Sequence, residues 1–419
     1  MERVLIVGNG YAGLAAARAL AREQGFAVTV ASAQRHPACC LHLLPEVAAG
    51  RKAPVELHLA DPREYGELGV AFKGGVRVDR LLARDRKAIL STGEELSFDK
   101  ALVATGARTS IPGVFAKPAA EYPNVVSLRG LDEGIALRTL IEGGARNVVI
   151  AGAGRIGVLL AEALAGSDVT VTLIDIAPQI LATMLEPSVA ARLRPELEGR
   201  RNTRILTGRP VDRVHAEGGR VREVGLSDGT RIPCDVLVVA TGVTPNREIL
   251  EDVPSSADGV PVNARMETGA PGIYAAGDVV AFETISGRIE PGQLILNARL
   301  QAEVAARNMA GGNAVCPPSF TGNVVKIGRL TGARVGDIDG TDFADFPVGG
   351  SFVRLTLSGR TATGLQAVTG LQFVGLAEDL RGLVPAVLKK FDAVELAAWI
   401  GETGLGVVPL LAARSVRWA

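Results

Sequence analysis

Two short stretches carry residues whose type and spacing can hold a phosphate: GNGYAG at residues 8–13 and GAGRIG at residues 152–157. Each places glycines at its first, third and sixth positions, giving Gly8, Gly10 and Gly13, then Gly152, Gly154 and Gly157. The first glycine of such a triplet permits a tight turn, the second lets the backbone approach a diphosphate, and the third allows a helix to pack closely on a strand. The helix that follows offers unpaired N–H groups and a partial positive charge to the anion. About 20 residues beyond the second triplet, Asp175 is placed to accept hydrogen bonds from a ribose 2′-hydroxyl and to repel a 2′-phosphate, which favours NAD over NADP. Ile176 and Ala177 bring no cation for that phosphate. The equivalent position in the first copy is Ser32, a weaker partner for a ribose.

The remaining reactive side chains are few. Cys39 and Cys40 are adjacent, and neighbouring Cα atoms stand about 3.8 Å apart, below the usual disulfide range, so a bond between them would be strained. Such a pair can serve as a redox switch or simply pack as free thiols. Cys234 opens an apolar run and Cys316 sits in a VCPP linker, and both read as structural. The four histidines, His36, His42, His58 and His215, lack metal-ligand spacing. No C-x-x-C cluster is available for an iron–sulfur centre.

These residues need elements to place them. Before the first triplet lies RVLIV (3–7), after it the helix-forming LAAARALARE and then AVTVA (27–31). NVVIAG (147–152), VLLAEALAG and VTVTLID repeat that grammar. Short β-branched runs flanking a glycine turn and a helix read as buried parallel strands in β–turn–α–β units. The 419 residues suggest two or three domains, since single cores rarely exceed roughly 250–300 residues. Basic and acidic residues balance at 45 each, so no global field points to nucleic acid or to an anionic membrane. The N-terminal apolar run lacks the form of a signal peptide, and no uncharged stretch reaches the roughly 18 residues that span a bilayer. With so few cysteines the expected location is the cytoplasm.

Two dinucleotide turns in one chain, together with FDKALVATGA (98–107), CDVLVVATGV (234–243), GIYAAGDVV (272–280) and NARLQAEVAARNMAG (297–311), resemble the pyridine nucleotide–disulfide oxidoreductase family. The segments run in the family's order over roughly residues 1–315. The resemblance implies an α/β fold with two Rossmann-like dinucleotide-binding domains, glutathione-reductase-like, and a C-terminal α+β interface domain. It sets an FAD-binding domain at 1–115 and 250–316, an NAD-binding domain at 116–249, and an interface domain at 318–419 that commonly makes a dimer. For FAD it implies the turn from Gly8 through Gly10, Tyr11, Ala12 and Gly13, with Ser32 toward the adenosine and Val78 also in the set. The crossover Ala104, Thr105 and Gly106, then Gly277 with Asp278 on the ribityl chain and Asn297 on the following helix, complete that set. For NADH it implies Gly152, Gly154, Arg155, Ile156 and Gly157, with Asp175 and Gly242.

Several departures from the family pattern bear on activity. The C-x-x-x-x-C pair of disulfide-reducing members is absent, and HPACCLHLLPEVAAG (36–50) is most similar to rubredoxin-reductase and nitrite-reductase flavin modules. Where a single redox cysteine would stand there is Leu43, leaving Cys39 and Cys40 as the candidate redox thiols. Arg155 and Leu159 replace the tyrosine and glutamate that usually line the nicotinamide pocket. Glu46 aligns with the lysine that pairs with that glutamate; facing the flavin, it would lower the reduction potential. The resemblance therefore implies an FAD-dependent NADH oxidoreductase delivering electrons to rubredoxin, ferredoxin, oxygen or a sulfur compound. A flavin subunit of a larger redox complex is one alternative. A membrane-associated sulfide-oxidising flavoprotein using Cys39 or Cys40, with a C-terminal interfacial anchor carrying Trp399 and Trp418, is another.

Overall fold

The computed structural model describes residues 1–284, 287–291, 293–319, 321–340, 342–348, 350–360 and 366–376. In chain order its site-forming strands are β1 (Glu2–Val7), β2 (Phe26–Ser32), β3 (Ala71–Gly74), β4 (Lys100–Val103), β5 (Val125–Val126), β6 (Asn147–Ala151), β7 (Thr170–Asp175), β8 (Thr203–Thr207), β9 (Val236–Val239) and β10 (Ile273–Ala275). The helices that matter are α1 (Tyr11–Leu20), α2 (Leu44–Ala48), α3 (Leu131–Glu142), α4 (Arg155–Leu164), α5 (Pro187–Glu198) and α6 (Ile295–Met309). The described residues form two compact units, one within 1–110, 129–135 and 243–319, the other within 111–128, 136–242 and 321–376.

The first unit is built on a five-stranded sheet in the order β10-β4-β1-β2-β3, all parallel, with Val4 opposite both Val28 and Lys100 in register. Helices lie on both faces of such a sheet, so its central strands read as unbroken apolar runs. Ile6, Val30, Leu102 and Ala275 are accordingly fully buried. The strand after β1 lies on one side of it and β4 on the other. That reversal opens a crevice at the C-terminal end of β1, where ligands of this architecture bind.

The second unit repeats the plan with β8-β7-β6-β9-β5, again parallel. Every residue of β9 is buried. The same unit holds a five-stranded antiparallel sheet of Gly322–Ile327, Leu330–Gly336, Asp342–Val348, Ser351–Arg360 and Gln366–Gly375. Helix α5 belongs to this unit too, and Arg192 on it lies 3.8 Å over the Phe352 ring. The segment expected to supply an interfacial anchor, with Trp399 and Trp418, lies outside the described residues.

Candidate functional site

At the end of β1 the chain turns through Gly8, whose φ of +109° belongs to the region L side chains avoid. A Cβ there would stand 2.1 Å from the Ala104 carbonyl oxygen, and one at Gly13 would stand 2.0 Å from the Gly8 carbonyl oxygen. Both contacts are backbone and cannot yield. Strand β1, helix α1 and the residues following β4 can therefore meet this closely only with glycine at both positions. Gly10 differs, because no protein atom lies within 4 Å of where its Cβ would be. It is the N-cap of α1 and gives no side-chain cap. The first intrahelical bond runs from the Leu14 amide to the Gly10 carbonyl at 3.0 Å, which leaves the N–H groups of Tyr11, Ala12 and Gly13 without a partner inside the helix.

The side chains around this elbow fit a dinucleotide. Asn9 is buried; its Oδ1 accepts from the Tyr65 hydroxyl at 2.7 Å, while Nδ2 has no partner. A buried unpaired N–H donor at a turn rimmed by helix amides suits an anionic or hydroxyl-rich ligand. Gly277 has φ of +84°, and its Cβ would come within 3.2 Å of Ala12 Cβ and 3.6 Å of Ala298 Cβ. The Gly277–Asp278 turn is thus held against the start of α1 and against α6. Its amide donates to Gln301 Oε1 at 2.9 Å, and Gln301 Nε2 donates onward to Ser319 Oγ at 3.2 Å. Asn297, one turn earlier on α6, is also buried.

Asp278 is half-buried and accepts from Arg129 Nη2 at 3.2 Å. The same guanidinium donates twice to the Ala107 carbonyl, at 3.2 and 3.0 Å. Arg129 carries no sequence signal of its own, standing in a loop before α3 and 149 positions from its partner. The crossover after β4 is pinned as well. Thr105 Oγ1 donates to the Asn246 carbonyl at 2.6 Å, and Asn246 donates back to Thr105 and Gly106 through its side chain and its backbone. Ser32 is buried with its Oγ accepting from the Gln34 amide at 3.2 Å. Val78 is a buried strand residue opposite Leu90.

The second elbow repeats the first at its three glycines. Gly152 has φ of +111° and would clash with the Ala240 carbonyl oxygen at 2.2 Å, Gly157 with the Gly152 carbonyl oxygen at 1.9 Å, and Gly154 with nothing. Arg155 and Ile156 open α4, and Gly242 follows β9 with φ of +107°. Asp175 closes β7, its Oδ2 accepting from the Ala153 amide at 2.6 Å and its Oδ1 from the Ala177 amide at 2.7 Å. Its carboxylate is held beside the elbow, and each oxygen keeps a lone pair for a further donor.

The cysteines part company. Cys39 is buried, donates to the Pro37 carbonyl at 3.1 Å, and has its thiol pushed up to about 11 by burial, with Cys40 and Asp132 adding to it. It stays protonated near neutrality, which makes it a poor nucleophile. Cys40 is partly exposed, 3.3 Å from His42 Nδ1. The Tyr11 hydroxyl lies 3.5 Å from the same nitrogen and is pushed up by burial and by its hydrogen bond to Cys40. Of the two expected thiols, only Cys40 is partly exposed and lies beside an imidazole. Both are free, as are Cys234 and Cys316, which burial raises to about 12 and about 11. Glu46 lies in the first turn of α2 with Arg51 Nη1 3.9 Å away. Among the described residues no three histidines, cysteines or carboxylates gather as a metal site, and no helix is long and apolar enough to cross a membrane.

Comparison with known proteins agrees with this geometry. The chain is 30% identical over 343 residues to the ferredoxin–NAD(+) reductase component of the biphenyl dioxygenase system of Paraburkholderia xenovorans, covering 81% of this chain and 82% of that one. It is 29% identical over 311 residues to subunit epsilon of the NADH-dependent phenylglyoxylate dehydrogenase of Aromatoleum evansii, covering 74% and 72%. The crystal structure of a ferredoxin reductase from Rhodopseudomonas palustris superposes with a TM-score of 0.80 at 27% identity, over 91% of this chain and 93% of that one. The family model described as pyridine nucleotide-disulphide oxidoreductase matches residues 2–305, which takes in both elbows and the Asp278 turn, and the chain belongs to that family.

Proposed function

We propose that this protein is an FAD-dependent NADH oxidoreductase that keeps FAD on the Gly8 elbow and receives NADH on the Gly152 elbow. The observation that carries the reading is the duplication of one glycine design, with a carboxylate, Asp175, ending the second unit's strand where Ser32 ends the first. The chemistry FAD would supply, held at the Gly8 elbow, is acceptance of a hydride equivalent from NADH and release of its electrons to an acceptor. The protein's part is to bind and orient. The amides of Tyr11 and Ala12 would bind one diphosphate and those of Arg155 and Ile156 the other, and Asp278, held by Arg129, would hold the ribityl chain. Asp175 takes the ribose hydroxyls and disfavours a phosphate there.

The acceptor is an electron-carrier protein or a small redox molecule, supported by the reductase names of the relatives above. The four unpaired thiols support a reducing, cytoplasmic location, and the homodimer expected of the family is open to sedimentation analysis. The absorption spectrum of the purified protein tests the central reading. A flavin spectrum that bleaches anaerobically with NADH and much more slowly with NADPH is the expected result. A protein that takes up no FAD, or whose flavin ignores NADH, overturns it. Arg155 and Leu159 at the nicotinamide-facing positions favour a second reading, a flavin subunit active only within a larger complex. Slow flavin reduction in stopped flow that accelerates on adding partner subunits would select it.

A further inference from the structure

We propose that a groove between α1 and α6 in the first unit is a separate ligand site for a phosphorylated nucleoside. Its volume is about 470 Å³, within the roughly 300–1,000 Å³ typical of small-molecule sites. It follows the outer flank of α1 from Tyr11 to Arg22, about 15 Å for a helix of this length. Only the Tyr11 end lies near the Gly8 elbow. The other end is formed by Arg22, just past the end of α1, and by Arg307 in the last turn of α6, at the opposite end of both helices from the Gly8 elbow.

The two ends differ in chemistry. Tyr11, Leu14, Ala15 and Leu59 give one end of the groove an apolar wall on which a base can stack and bury, with Arg299 close enough to Tyr11 to act on its hydroxyl. The rest carries arginines. Arg18 is occupied, donating to Glu64 at 2.5 and 2.9 Å and to the Leu59 carbonyl at 3.2 Å. Arg22, Arg299 and Arg307 are exposed, and no acidic group among the described residues lies within ion-pair distance of any of them. On α6, Glu303 stands four residues from both Arg299 and Arg307, a spacing at which ion pairs form readily, yet neither pair is made. Three exposed guanidinium forks line the groove, Arg299 toward the Tyr11 end and Arg22 with Arg307 at the other, and such forks can engage phosphate oxygens bidentately. Glu23 and Glu303, the other charged lining residues, leave little net positive field. They suit a ligand that also brings hydroxyl donors, as a ribose does. Concavity and length favour such a molecule over the convex face of a carrier protein.

The test uses the FAD-loaded protein saturated with NAD(+), so that both elbows are occupied, with ADP as the probe in calorimetry. ADP is expected to bind the native protein, adenosine to bind far more weakly, and the Arg22→Gln/Arg307→Gln double variant to lose about ten-fold or more in ADP affinity while its flavin spectrum and its reduction by NADH stay unchanged. Arg299→Gln alone should weaken ADP by several-fold and serves if the double variant folds poorly. ADP affinity equal in native and variant proteins would place the probe at an elbow and overturn the proposal, as would no binding at millimolar ADP. Unaltered ADP affinity with slower electron delivery to an acidic carrier protein would overturn it in favour of a protein-docking face.

Discussion

At the scale of single residues, the first and third glycines of each elbow are fixed by contact with backbone, not by preference. Gly8→Ala and Gly152→Ala each place a methyl about 2 Å from a carbonyl oxygen at a φ above +100°. Each is expected to cost upwards of about 2 kcal/mol. Gly8→Ala should purify with little flavin, whereas Gly152→Ala should keep its flavin and lose saturation by NADH. Denaturant titration with flavin absorbance distinguishes the two. Asp175→Ala removes the acceptor at the end of β7 and frees the amides of Ala153 and Ala177. Its KM for NADH should rise about ten-fold, and its NADH-over-NADPH preference should narrow, in steady-state assays. An unchanged ratio would show that Asp175 serves only to tie its own loop.

Among elements, the turn before α3 has the least obvious role. Through Arg129 it joins the Ala107 carbonyl after β4 to the Asp278 carboxylate after β10, so three separate chain segments share one guanidinium. Arg129→Ala should weaken FAD retention about ten-fold with little change in secondary structure, and Arg129→Lys should restore part of it, because a lysine keeps the charge without the fork. Flavin release on dilution measures both. This link marks the limit of what the primary sequence discloses. Gly8, Gly13, Gly152 and Gly157 were legible because their need is local: a turn and a helix packed within six residues. Asp278 stood out in the sequence through the segment around it, but its contact with Arg129 did not. Arg129, Gln301 and the Cys40–His42–Tyr11 group were not, since each acquires its role from a neighbour 24 to 149 residues away or from a loop whose path no periodicity specifies. The adjacent cysteines looked equivalent in sequence, and burial alone distinguishes them.

For the molecule as a whole, both parallel sheets were foreseeable from apolar strand runs, as was their repetition. The antiparallel sheet after residue 321 was visible only as a layout of strands. Its strands alternate less cleanly, and its partner α5 lies far earlier in the chain. Buried thiols give the folded state a measurable pH response. Cys39, Cys234 and Cys316 are raised from 9.0 to about 11, about 12 and about 11 by burial. Above pH 9 the unfolded chain releases these protons while the folded one retains them, so stability present below pH 9 falls as pH climbs toward 11. The slope should approach about 1.4 kcal/mol per pH unit for each thiol. Urea midpoints at pH 8 and pH 10 should differ, and Cys234→Ala should reduce the difference; equal midpoints would refute it.

The near identity of the two elbows has one more consequence. Obstructing carbonyls stand at 2.1 and 2.2 Å from the first glycines and at 2.0 and 1.9 Å from the third, so the two hexapeptides meet the same steric demand at their glycines. A chimera carrying residues 152–157 in place of 8–13, and the reverse, should still fold. Discrimination between resident and visitor should then travel with the strand ends Ser32 and Asp175, not with the transplanted loops.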